Sequence, residues 1–180
     1  MYEKGELIPV EDEADRKMYW KTVSYLSEKG YTHYEISNFA KKGYECKQNI
    51  IYWKAEEYLG IGAGAHSYID GLRWENTASI NNYIEAVYGC YSPITDQQVI
   101  DDRESMAEYM ILGLRLTQGV NINEFYRRYG KTPYDIYNSQ IFDLITKGFI
   151  QRQSEYILLT PLGLDLANQV FVEFLNDVTF

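Results

Sequence analysis

Apolar positions first recur at helical spacing between residues 11 and 29, where Met18, Thr22, Val23 and Leu26 fall near i, i+4, i+5 and i+8. Acidic residues from Glu11 to Asp15 crowd the start of that stretch, the end that a helix dipole makes favourable for them. Gly30 stands where a C-terminal cap belongs. A short, loosely alternating strand is predicted from Thr32 to Phe39. Helix, glycine, strand is one half of a βαβ unit, and an α/β domain needs several, so the pattern reads as the inside of a larger fold. Residues 40–66 read as loop-rich. His66 to Trp74 predicts a hairpin turning at Asp70-Gly71, a favoured two-residue turn, and Ser79 or Asn76 is placed to cap a helix running through Val87.

Pro93 to Gln98 reads as a linker, which divides the chain into domains 1–92 and 93–180. Beyond it the period is helical. Met106, Tyr109, Met110, Gly113 and Leu114 form an apolar stripe ended by Gly119, and helices follow over Asn121 to Tyr129 and Pro133 to Thr146, the latter with Phe142 and Ile145 facing inward. Phe149 to Arg152 and Tyr156 to Leu159 predict a small hairpin, and Thr160-Pro161 opens a last helix with proline in its first turn. Three helices, a two-stranded wing and a helix is a winged-helix-like order, so the fold class is α+β.

Composition narrows the function. Of 180 residues, 46% are apolar, enough for a packed core, and 18 are tyrosine, a residue that buries a ring yet needs a partner for its hydroxyl. The net charge of −9 disfavours nucleic acid and anionic membranes as partners. Lys41, Lys42 and Lys47 cluster around one loop and read as a solvated basic segment. The two cysteines, Cys46 and Cys90, form neither a Cys-x-x-Cys pair nor a disulfide framework, which fits a reducing, cytoplasmic setting. No apolar run approaches the ~20 residues that span a bilayer, and Glu3, Lys4 and Glu6 make a poor signal peptide.

Three segments and two histidines carry candidate chemistry. Tyr34 to Ala40 sets Glu35, Ser37 and Asn38 between Ile36 and Phe39, suited either to lining a ligand site at a strand end or to a solvated edge. Gly60 to Ser67 is glycine-rich without dinucleotide or P-loop spacing, and close backbone packing is its plainer meaning. His33 and His66 are the two imidazoles, too far from the cysteines in sequence to show zinc-site spacing, and each reads more simply as a structural residue. Cys46 to Trp53 places Tyr52 and Trp53 after the polar pair Gln48 and Asn49; they can stack a flat ligand or simply pin a loop.

Taken together and in this order, YEISNFA (34–40), QNIIYW (48–53), LGIGAGAHS (59–67) and Arg73 with Asn76 in RWEN resemble the second half of oxygen-independent coproporphyrinogen III oxidase-like proteins of the radical S-adenosylmethionine superfamily. The tail from Asp101, with Leu112 to Leu116 and Leu159 to Gly163, resembles that family's C-terminal winged-helix-like domain. The resemblance implies the terminal piece of an incomplete TIM-type barrel followed by a mostly helical domain. It implies a parent holding a [4Fe-4S] cluster and S-adenosyl-L-methionine through a Cys-x3-Cys-x2-Cys motif, which this sequence lacks, so no cofactor is expected on the chain alone and no catalytic residue is assigned. Ala40 matches a position near S-adenosylmethionine in the family.

The wording of YEISNFA and GAGAHS is that of the family's heme-chaperone branch, which implies handling of heme or porphyrin through Gln48, Asn49, Tyr52 and Trp53. That branch carries His-Asn-x-x-Tyr-Trp, whereas here Gln48 replaces the histidine, and an amide ligates iron poorly beside imidazole. Cys46, Tyr52 and His66 are the other candidate iron ligands. The expected partners are heme or porphyrin, the parent's own N-terminal barrel, and a possible protein partner. Two other readings remain: a true coproporphyrinogen III dehydrogenase of porphyrin biosynthesis, and a winged-helix module at 101–180 that docks proteins or DNA.

Overall fold

The computed structural model describes residues 10–175, so the polar opening at Glu3, Lys4 and Glu6 lies outside the described residues. The chain divides into two compact units, Met1–Cys46 and Lys47–Phe180.

The first unit holds helix α1 (Asp12–Glu28) and an antiparallel hairpin of β1 (Tyr31–Glu35) and β2 (Asn38–Lys41), with Thr32 opposite Ala40 and His33 opposite Phe39. The helix lies where the acidic start and Gly30 place it, and Gly30 adopts φ +79° just past its end. Its apolar face is turned from the expected one. Met18 and Thr22 are exposed, while Tyr19, Trp20, Val23 and Leu26 are half-buried. The expected single strand from Thr32 to Phe39 is instead folded back on itself. The buried Glu35 carboxylate, accepting from Ser37 N at 3.0 Å and from Asn38 Nδ2, stands in for the missing glycine or proline of the turn.

The second unit begins with α2 (Lys47–Trp53), where loop was expected. Strands β3 (His66–Ile69), β4 (Leu72–Asn76) and β5 (Ile94–Val99) make an antiparallel sheet in the order β3-β4-β5. Asp70 and Gly71, at φ +51° and +73°, form the predicted turn. Segment 93–98 is thus no linker: β5 pairs along β4, with Arg73 opposite Gln98 and Leu72 opposite Val99. All six residues of β5 are polar or β-branched and exposed, which makes the segment resemble a linker in sequence. Helix α3 (Ile80–Tyr88) is capped by Ser79, whose side chain accepts from Asn82 N, while Asn76 is buried and donates to Gly62 O instead.

The packed core follows. Helix α4 (Asp102–Gly113), capped by Asp101, buries Met106, Tyr109, Met110 and Gly113, with Leu114 just beyond it. The helix ends at Gly113 rather than at Gly119. Strand β6 (Val120–Asn121) leads into α5 (Ile122–Tyr129), and α6 (Pro133–Thr146) starts at a reciprocal cap between Thr132 and Asp135. Strands β7 (Ile150–Gln153) and β8 (Tyr156–Leu159) complete a sheet in the order β6-β8-β7. The last expected helix is two: α7 (Pro161–Asp165) and α8 (Ala167–Leu175), broken at Leu166. Phe125, Tyr137, Ile141, Leu144, Ile157, Val170 and Phe174 close the interior, each with at most 2% of its surface exposed. At roughly 1.5–3 kcal/mol per buried large apolar side chain, this cluster dominates the stability of the unit. Phe142 and Ile145, expected inside, are 72% and 41% exposed.

Candidate functional site

Helix α2 gathers the four candidate residues. Gln48 and Tyr52 are one turn apart, as are Asn49 and Trp53, so the four share one broad side of the helix. Gln48 Nε2 donates to Tyr52 Oη at 2.9 Å on the exposed surface. The Tyr52 ring meets Tyr58 edge-on, 4.6 Å between centroids at 89°. Trp53 lies under the Arg115 guanidinium, 4.3 Å from the ring centroid. Its indole N–H is buried and has no hydrogen-bond partner among the described residues.

A cleft of about 90 Å3 opens beside Trp53 and is lined by Tyr109, Asn121, Glu124, Arg128 and Tyr156 among others. Small-molecule sites usually hold about 300–1,000 Å3, so this cleft admits water and not a tetrapyrrole. Burial pushes the Tyr109 hydroxyl up to about 12, against the opposing pull of Arg128. A larger hollow of about 470 Å3, lined by Glu56, Glu57, Tyr68, Arg128 and Tyr129, carries two carboxylates that disfavour an anionic ligand.

The remaining candidates fall elsewhere. Ala40 is buried on β2 of the first unit. In that unit Tyr19 Oη donates to Ile36 O at 3.0 Å, and His33 Nε2 lies 3.1 Å from the same oxygen, with its ring stacked on Phe39. His33 is a structural residue there. His66 is exposed and pairs with Glu75 at 3.4 Å. Cys46 and Cys90 are both exposed and free. Among the described residues, no group of three or more His, Cys, Asp or Glu is placed to hold a metal ion.

The glycine-rich segment is built into the backbone. Gly60 N donates to Ser67 Oγ, Gly62 N to Tyr83 Oη and Gly64 N to Thr77 O. A Cβ on Gly60 would fall 2.0 Å from His66 O, so the segment serves close packing, as its spacing suggested. Arg73 makes a two-pronged pair with Glu108 of α4, at 2.9 and 2.6 Å, and so fastens the β3-β4-β5 sheet to the helical core. Sequence reasoning missed Arg115, Tyr58 and Glu108. Arg115 and Glu108 act across the fold, on Trp53 and Arg73, rather than along the chain.

Residues 100–166 match the model of the HemN C-terminal domain. The chain is 38% identical over 178 residues to the heme chaperone HemW of Bacillus subtilis, covering 99% of this chain and 47% of that protein. It is 36% identical to the heme chaperone HemW of Lactococcus lactis, covering 96% and 45%. The chain is related to the HemN and HemW proteins. It spans about half the length of these HemW relatives. A solved structure of the coproporphyrinogen III oxidase HemN from Escherichia coli, described as a radical SAM enzyme, superimposes with a TM-score of 0.64 at 14% identity, over 86% of this chain and 39% of that one. At that identity the likeness to HemN is one of mixed α/β fold. Among the described residues, no helix is long and apolar enough to cross a membrane.

Proposed function

We propose that the chain handles heme as part of a heme-chaperone protein, with α2 as the helix that meets the cargo. The HemW relatives at 36–38% identity over nearly all of this chain carry the reading. The geometry supports it: Gln48, Asn49, Tyr52 and Trp53 share one side of one helix, and the cleft beside Trp53 is too small for a tetrapyrrole. Tyr52 and Trp53 supply the apolar platform, while Gln48 and Asn49 supply amide dipoles at its edge.

The first unit is read as the end of an incomplete barrel and the region from residue 93 as a winged-helix-like domain. Helix α1 buries no residue, which suits an element whose partners lie in another part of a barrel. The order α4, α5, α6, β7, β8 suits the second reading. A DNA-binding role is not favoured, because α6 carries Asp135 and Asp143 and no Lys or Arg within its bounds.

The relatives' radical chemistry needs a cluster held by three or four thiolates. Two exposed, unpaired cysteines do not fit it, so no step of that chemistry is assigned to these residues. Ala40, buried on β2, is read as the remnant of an S-adenosylmethionine site held mainly by other segments.

Hemin titration of the full-length protein, followed at the Soret band, tests the proposal. Saturable binding that Trp53→Ala and Tyr52→Ala weaken is the expected result. Binding untouched by both variants would remove the platform. No binding in wild type, restored by Gln48→His, would mean a scaffold that has lost its heme ligand.

A further inference from the structure

Helix α2 has seven residues, two turns, too few to hold its shape by backbone hydrogen bonds alone. What orders it must come from side chains reaching other elements. Two such contacts are the edge of Tyr58 against Tyr52 and the Arg115 guanidinium over Trp53. They differ in kind. Tyr58 follows α2 within a few residues, whereas Arg115 comes from the turn beyond α4, whose Met110 and Leu114 are fully buried. Arg115 therefore ties α2 to the rigid core. Among the described residues the indole N–H of Trp53 has no hydrogen-bond partner, so the ring's orientation depends on packing and on the cation above its face.

We propose that Arg115 is a positioning residue that sets the rotation of α2 through Trp53 and so determines which side of Gln48 and Tyr52 is presented. The consequence for cargo rests on the heme-handling reading above; the ordering of α2 does not.

The test uses the full-length protein as wild type, Arg115→Ala, Arg115→Lys, Trp53→Phe and the double variant Arg115→Ala with Trp53→Phe. Amide hydrogen exchange is read without heme, and Soret titration follows. Arg115→Ala is expected to speed exchange at residues 51–53 by about 2- to 30-fold, the range that a lost cation–π contact supplies, while α6 is unchanged. Arg115→Lys keeps the charge but not the flat stacking group, and should fall between wild type and Ala. Arg115→Ala in the Trp53→Phe background should add less than in wild type, because the indole is the stronger cation-binding ring. Unchanged exchange at α2 in Arg115→Ala, or faster exchange spread over the whole unit, overturns the proposal. Local loosening of α2 in a wild type that binds no heme would uphold Arg115 as the anchor and overturn the heme reading. Local loosening with unchanged heme affinity would overturn the claim that Arg115 presents the ligand face.

Discussion

Single residues here act mainly through what surrounds them. Gly60 shows this for the backbone, because the carbonyl of His66 occupies the space a methyl group would need. Gly60→Ala is expected to cost about 1–3 kcal/mol, the usual range for overpacking, seen as a lower urea midpoint; an unchanged midpoint would mean the loop is not closely packed. Tyr109 shows it for a titrating group. In the unfolded chain its hydroxyl ionises near 10.0, while burial raises it to about 12 in the fold. Between those values the unfolded chain has released the proton and the folded chain still holds it, so stability is full below the lower value and falls as pH rises toward the upper one. Burial moves Tyr58 and Tyr129 in the same direction. Urea midpoints followed from about pH 9 to pH 11 should therefore decline, and Tyr109→Phe should flatten the decline. An equal slope in wild type and variant would show that Tyr109 ionises as freely in the fold as out of it.

Among elements, existence was easier to read from the sequence than orientation. Helix α6 was legible from Pro133 to Thr146 because apolar residues recur along it at helical spacing. Its inward side was not. Ile141, Phe142, Leu144 and Ile145 offer two overlapping stripes, and the non-helical Tyr137 (φ −116°, ψ 29°) turns the helix so that Ile141 and Leu144 go inside. Leu144→Ala is accordingly expected to cost about 2–5 kcal/mol and Phe142→Ala less than about 0.5 kcal/mol, compared by chemical denaturation. Equal losses would restore the orientation expected from the pattern. The β1–β2 turn escaped notice for another reason: its work is done by the Glu35 side chain and not by glycine or proline. The four candidate residues were found by resemblance, but their gathering on one helix was not, because a seven-residue helix without a capping signal leaves almost no periodic trace.

At the scale of the whole molecule, the two units differ in what holds them. The first has one helix with no buried residue and a two-stranded hairpin, and Glu35 and Ala40 are its only buried residues among those described. A lone hairpin is marginal in water, and a helix lying on it without a buried stripe adds little. The second has a sheet fastened by Arg73 and Glu108 to a core that runs from Met106 to Phe174. Burial on that scale is what supports cooperative unfolding. Residues 47–180 expressed alone should therefore give a single sigmoidal thermal transition followed by circular dichroism at 222 nm, while residues 1–46 alone should show a shallow, non-cooperative drift. A cooperative transition in the shorter piece would mean that its half-buried aromatic residues, Tyr19, Trp20 and Phe39, form a core of their own. It would also remove the main physical support for reading that piece as the end of a barrel, since an element that folds alone has no need of barrel neighbours to cover it.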